Sequence, residues 1–474
     1  MFKFILKQKV YLFLVLMIGM IASCSSDDDM VIGDITSPTG ELTKTIPWDE
    51  TEASISFTAN SAWEASVAEV GTRAATSISW LKITVPKGGA GDVKMPLFLS
   101  KNDNETYREA EVTIKCGEKS VTVTIHQEAN PNAVKMMDVS AISNYSMYIT
   151  PGTWNEGFEK GPDYMLRSDA RWSWWRMKQS EHFFVFWEPG FGDDPNAESV
   201  PEALRVDIDD LLQKAEQFYK TNVEKLGMAT VGQGKSVLDN HKMQIYLLYQ
   251  TDWLATGSGY DDKIGALWVN PSTCKPVGST IGHEIGHSFQ YQVSADKLFT
   301  GEVTPIDRAD GSQLVPAGFR YGFGENGAGG CAYWEQCAQW QSFQDYPNEC
   351  FDQDAHYAVW LKNHHRHFNH EFMRYASYWF QYWFTEKHGI ESYARIWKES
   401  KYPEDPLQTY MRIYCNNSLD ALYKDLYAYS AHCADYDFKA VHQYKKEAAI
   451  NYSTKLYKNC LLYTSDAADD TPCV

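Results

Sequence analysis

Gly282-His283-Glu284-Ile285-Gly286-His287-Ser288-Phe289-Gln290 decides how the rest of the chain is read. Histidines four apart on a helix project from one face, one turn apart, so both imidazoles can reach a single tetrahedral ion such as zinc. Glu284 lies about 100° round the helix from His283. That places its carboxylate beside the open side of such an ion, where it can take a proton from water rather than bind the metal. Val277, Ile281, Ile285 and Phe289 form an apolar stripe roughly opposite the histidines, so the spacing predicts a helix that packs on one side and lines a cleft with the other. Gly282 and Gly286 lower helix propensity, and their presence predicts close approach of neighbouring groups.

A catalytic zinc site takes three protein ligands and a water, so a third ligand has to come from elsewhere. Two glutamates are candidates: Glu335 in Tyr333-Trp-Glu335-Gln-Cys-Ala338-Gln-Trp340, and Glu325 in Gly324-Glu325-Asn-Gly327. Glu335 is preferred because a glycine loop is a poor rigid support for a ligand. Upstream, Glu181 to Trp187 reads as a strand, and Pro201 opens a helix with Leu204, Ile208, Leu211, Ala215, Phe218 and Leu226 on one face and Gly227 as its stop. Lys242 to Leu248 and Ile264 to Val269 read as further strands, the latter taken as the sheet edge and ended by Asn270-Pro271. Helical patterns follow from Ala332 and from Glu371 to His388, with Gly389 as a stop. The expectation is an α+β domain over residues 176–459 with a mainly helical C-terminal part, preceded by a linker and lead-in over 131–175. Tyr375, with Arg374 beside it, is the candidate donor to a developing oxyanion. The cluster His364-His365-Arg366-His367 with His370 reads as a solvated basic face, and Asp193-Asp194 and Asp209-Asp210 read as a turn and a solvated helix face.

The Trp334-Glu335 segment, with small Ala338 three positions on, resembles the gluzincin pattern, in which a second helix supplies a glutamate ligand. Together, Gly265-Ala-Leu-Trp-Val269, His283 to Gln290, Trp334 to Ala338, and Arg374-Tyr375 through Lys387-His-Gly389 are similar to a family of secreted zincin-like proteins of undefined function. The resemblance implies a zincin-like catalytic domain that holds Zn2+ through His283, His287 and Glu335. The activity it implies is endopeptidase cleavage of extracellular proteins or glycoproteins, possible mucins included, with water activated by Glu284. It also makes Ala266 to Val269 either a rail for an extended peptide or an ordinary sheet edge.

Residues 35–130 alternate in the manner of a β-sandwich: Ser54-Ile-Ser-Phe-Thr, Trp80-Leu-Lys-Ile-Thr-Val, Val93 to Leu99, Ala110 to Lys115 and Ser120 to Ile125. The run Thr58 to Trp63, Trp80-Leu81, the turn Gly88 to Gly91, Asn104 with Arg108, and Val121 to Gln127 resemble the BACON domain, an immunoglobulin-like module. That resemblance implies either glycan contact or a spacer; Trp63 and Trp80 sit where tryptophan is usually buried. The alternative function is therefore a catalytically silent zincin-fold surface lipoprotein that binds host or dietary glycans.

At the N-terminus, Lys3, Lys7 and Lys9 precede an apolar run that ends Ile21-Ala-Ser-Cys24, the pattern of a lipoprotein signal peptide over 1–23 with lipidation at Cys24. The acidic linker over 24–34, which contains Ser25-Ser-Asp-Asp-Asp29, resembles the export signals of Bacteroides-type outer-membrane lipoproteins and reads alternatively as a solvated tether. The expected location is the outer membrane, cell-surface exposed, with the lipid as the only membrane contact. Residues 460–474 resemble a translated sequencing adapter and are set aside. A formal net charge of -19 argues against nucleic acid or an anionic membrane as partner. Of ten cysteines, none lies in a C-x-x-C pair, which excludes a cysteine zinc site of that kind; pairing into disulfides stays open.

Overall fold

The computed structural model describes residues 30–32, 35–37, 42–70, 78–152, 161–309, 311, 313–319, 331–352 and 354–447. The signal segment with Cys24, the acidic linker apart from residues 30–32, Glu325 and residues 460–474 lie outside the described residues. The chain divides into two compact units, Met1–Lys135 and Met136–Val474. Among the described residues no helix is long and apolar enough to cross a membrane.

The first unit is β-rich. One five-stranded sheet holds Glu52–Ala59, Gly91–Leu99 and Leu81–Ile83, and a second holds Thr43–Ile46, Lys119–Gln127, Arg108–Cys116 and Trp63–Glu69. Period-two alternation turns Phe57, Leu97, Leu99, Val112, Ile114, Val123 and Ile125 into one shared core. Trp63 is buried, with its ring edge-on to Phe57 at 5.0 Å, and Trp80 is half-buried beneath the Arg108 guanidinium at 4.5 Å. Arg108 also donates to Gln127 Oε1 at 2.9 Å, while Gln127 Nε2 reaches the carbonyls of Glu50 and Ser100, each at 3.2 Å. Sequence features shared with the BACON pattern thus serve to satisfy main-chain carbonyls at the ends of the strands.

The second unit is built on a mixed sheet of β1 (Met177–Gln179), β2 (Phe183–Trp187), β3 (Met243–Leu247), β4 (Ala255–Tyr260) and β5 (Ile264–Val269), in the order β1-β2-β3-β5-β4. β2, β3 and β5 run parallel and are buried along their whole length, which is why they read as continuous apolar runs. Here the sequence reading is corrected: Ile264 to Val269 is not the edge. β4 lies outside it, antiparallel, with Gly257 opposite Leu267. Ala255-Thr-Gly-Ser-Gly-Tyr260 carries too few apolar or β-branched residues to announce a strand.

Helix α1 (Ile208–Lys220) starts at Asp207, whose side chain accepts from the N–H groups of Asp209 and Asp210. The helix expected from Pro201 is therefore shorter, with a 3₁₀ turn at Glu202–Leu204 before it. Helix α2 (Ser279–Phe299) crosses β4 and β5, and Ile281, Ile285 and Phe289 are fully buried beneath it. The described part of 136–175 is more than a lead-in: Tyr148, Trp172 and Trp174 pack against Phe184, Phe186 and Tyr246 of β2 and β3. Its short 3₁₀ turns carry no helical or strand period, so its place in the core was not visible in the pattern.

Beyond α2 the unit is mainly helical: α3 (Ala332–Ser342), α4 (His356–Asn363), α5 (Trp379–His388), α6 (Ser392–Glu399), α7 (Pro406–Tyr414) and α8 (Leu419–Asp435). The helical pattern read from Glu371 is broken into a 3₁₀ turn at Glu371–Met373 and α5, with Tyr375 on the connection.

Candidate metal centre

α2 carries His283 and His287 one turn apart with Glu284 next to His283, and α3 brings Glu335 against the two histidines, 48 positions beyond His287. His283 and His287 donate from Nε2 to the same oxygen, Glu335 Oε2, at 3.1 and 2.9 Å. One donor atom from each of the three residues lies within 4.8 Å of the other two, and no other cluster of this kind occurs among the described residues. Two imidazoles and a carboxylate are a donor set suited to zinc, with room left for a water. Of the two glutamates weighed from sequence, Glu335 joins the histidines, and Glu325 lies outside the described residues.

The helices approach closely because small residues face each other. A Cβ on Gly286 would lie 3.1 Å from Gln341 Oε1 and 3.3 Å from the Ala338 Cα, so Gly286 and Ala338 together set the separation. Gly282 faces Phe218 of α1, where a Cβ would come within 2.9 Å of the ring. Both glycines of the motif therefore have a packing reason that outweighs their helix propensity.

Burial pulls the Glu335 carboxyl upward, but hydrogen bonds from His283 and His287 outweigh it and hold this group well below the usual carboxylate range. For His287, burial favours the neutral ring, and the contact with Glu335 reverses the balance and raises it. The cluster is thus a site in which a carboxylate stabilises positive charge.

Glu284 stays out of the cluster. Its Oε2 accepts from the backbone N–H of Gly257 on β4 at 2.5 Å, and the residue is buried. A Cβ at Gly257 would come within 2.0 Å of the Glu284 carbonyl oxygen, so the edge strand can lie against the helix only with glycine there.

A cleft of about 980 Å³ opens in front of these groups, lined by β4 from Ala255 to Ser258, by His283, Glu284, His287 and Glu335, and by Trp253, Glu349, Asp352, His356 and Tyr375. Tyr375 faces His283 at 5.7 Å between ring centroids, and burial followed by the Glu335 charge pushes its hydroxyl up to about 12, which keeps it a proton donor. Arg374 is instead paired with Glu371 at 2.9 Å. His356, missed in the sequence because it has no partner at fixed spacing, stacks on Tyr375 at 5.2 Å; burial, then His283, push it down to about 4. Gly257 was missed for the same reason as β4 itself.

The other expectations fall as follows. His364 Nδ1 donates to Leu361 O, while His367 and His370 accept from backbone N–H groups at Asn369 and Phe372, so the cluster serves its own turns. Asp194 accepts from Asn196 N–H in a turn, and Asp209 pairs with Lys178 at 2.6 Å. Among the cysteines of the described residues, Cys116, Cys274, Cys337, Cys350, Cys415 and Cys433 are free thiols.

No curated protein matches the chain. Among solved structures it is similar to a protein from Bacteroides thetaiotaomicron determined by NMR, at 16% identity over 23% of this chain and 97% of that one, with a TM-score of 0.17. It is also similar to the Bacteroides ovatus GH5 xyloglucanase in complex with a XXXG heptasaccharide, at 13% identity over 66% of this chain and 82% of that one, with a TM-score of 0.18. Likenesses this weak carry no argument about fold or function. The BACON domain model matches residues 67–128, within the β-rich unit. A second family model spans residues 131–468, the whole sheet-and-helix unit that holds the His283, His287 and Glu335 cluster, and the chain thereby belongs to the "Family of unknown function (DUF6055)".

Proposed function

We propose that this chain is a zinc-dependent endopeptidase with a zincin-like, gluzincin-type catalytic domain. The observation that carries the reading is the convergence of His283 Nε2, His287 Nε2 and the Glu335 carboxylate in a cleft beside Glu284, which is held apart from them. The sheet order, with an antiparallel edge strand in front of the motif helix, supports the same reading. Zinc in such a site supplies Lewis-acid polarisation of a carbonyl and an activated water. Glu284, anchored through Oε2 by Gly257, has Oε1 to take the proton of water and to pass it to the leaving amine. Tyr375 donates toward the substrate carbonyl oxygen as charge develops there. The free side of β4 pairs with an extended peptide. Extracellular proteins or glycoproteins, mucin-like ones included, are the proposed substrates, reached from a cell-surface lipoprotein anchored at Cys24.

The test is Glu284→Gln in the full chain. It is expected to retain zinc and to lose about 10²–10⁴-fold in casein or mucin hydrolysis; full activity in that variant sinks the proposal. A second reading, a catalytically silent glycan-binding protein, is favoured by Trp253, which lines the cleft and is 67% exposed, as a sugar-stacking platform would be. Zinc uptake without proteolysis, together with glycan binding lost in Trp253→Ala, selects that reading.

A further inference from the structure

We infer that a relay of three buried carboxamides, Gln290, Gln341 and Asn222, dictates which ring nitrogen of His287 faces the metal. This rests on the reading of His283, His287 and Glu335 as a zinc site. The starting points are main-chain carbonyls, which can only accept hydrogen bonds. Asn222 Nδ2 donates to Phe218 O at 2.9 Å, which turns Asn222 Oδ1 toward Gln341. Gln341 Nε2 then donates to Asn222 Oδ1 at 2.6 Å and to Gly286 O at 3.5 Å, so Gln341 Oε1 is left as an acceptor. It accepts from Tyr393 Oη at 2.9 Å and from Gln290 Nε2 at 3.0 Å.

Gln290 Nε2 spends its other hydrogen on Trp334 O at 3.1 Å. With both N–H groups used, the oxygen of Gln290 is the atom that meets His287 Nδ1, at 3.0 Å. An amide oxygen has no hydrogen to give, so Nδ1 keeps its proton; Nε2 on the far side of the ring, which donates to Glu335 in the metal-free cluster, is the nitrogen that would give up its proton and present its lone pair to the ion. Reversing any one amide would set oxygen against oxygen at a carbonyl, and all three side chains are buried, so water cannot repair the mismatch. The relay also joins α2 to α3, since Trp334 immediately precedes Glu335. His283 has no such counterpart among the described residues, where its buried Nδ1 meets no hydrogen-bond partner. Gln290 is therefore a positioning residue that orients one ligand and links it to the helix carrying another.

The experiment is a zinc titration of the full chain against a chromophoric chelator. Gln290→Met is expected to bind zinc about 10–100-fold more weakly, the usual effect of losing an outer-shell partner. Gln341→Met, which touches neither histidine directly, is expected to weaken zinc in the same direction. Gln344→Met, which lies just past the end of α3 and whose side-chain amide donates to Trp340 O four residues earlier, is expected to leave affinity unchanged. Unchanged affinity in folded Gln290→Met overturns the relay. A second measurement needs no variant to fold: long-range ¹⁵N–¹H spectra of zinc-loaded protein labelled at histidine. The relay requires the proton on Nδ1 of His287, and a proton on Nε2 overturns it while the zinc reading stands. If the unmodified protein takes up no zinc, the zinc reading fails and the relay with it.

Discussion

The backbone N–H of Gly257 donates to Glu284 Oε2 at 2.5 Å, tying the motif carboxylate to the free edge of the sheet. Substituting Gly257→Ala sets a methyl 2.0 Å from the Glu284 carbonyl oxygen, a backbone atom that cannot swing away. We expect a stability loss of about 1–3 kcal/mol from overpacking, with peptide hydrolysis falling further than the melting temperature alone accounts for. Thermal unfolding and a casein assay on the same preparation check this. A variant as stable and as active as the parent would show that β4 does not sit against α2.

Glu335 and Glu325 are separated by metal content. Glu335→Ala is expected to lose stoichiometric zinc by elemental analysis, because two histidines alone leave the site a ligand short. Glu325→Ala is expected to keep it. The reverse pattern would move the third ligand to the glycine-rich loop.

Tyr375→Phe isolates the hydroxyl. With the ring retained against His283 and His356, zinc content should be unchanged and kcat about 10²–10³-fold lower, as for loss of one oxyanion donor. Equal kcat in the two proteins would remove Tyr375 from the chemistry.

Acid stability should depend on Glu216. Burial raises this carboxyl, but hydrogen bonds from His182, Ser180 and the His182 backbone N–H outweigh it, so its folded-state pKa lies below 4.5. A depressed acid stabilises the fold above its unfolded pKa, and that contribution is lost as pH falls through the folded value. The melting-temperature gap between the parent and Glu216→Gln is therefore expected to be full near neutral pH and to close below about pH 4.5. A gap that does not vary with pH would assign the stability to packing.

Local pattern made some of this legible. Helical spacing put His283 and His287 on one face with Glu284 beside them, and Ile281, Ile285 and Phe289 on the buried side. Strands with both faces buried, such as Ile264–Val269, read as continuous apolar runs, and period-two alternation marked the β-rich unit. These features depend only on neighbours within a turn or a pleat. β4 escaped because its glycines are selected by what lies across from them, Glu284 and Tyr291, and by nothing along the strand.

What the sequence determined by itself, then, is the motif helix, the buried strands and the types of residue available for a metal. The sequence favoured Glu335 without showing its contact with the histidines; tertiary structure brought the three together, and it alone decided which strand forms the edge and how Gln290 holds His287. Each is a contact between segments distant in the chain, and no periodicity in a sequence encodes the register in which α3 packs on α2. That register is set by the close fit of Gly286 to Ala338 and by directional hydrogen bonds through Gln341, which exist only once the two helices have come together.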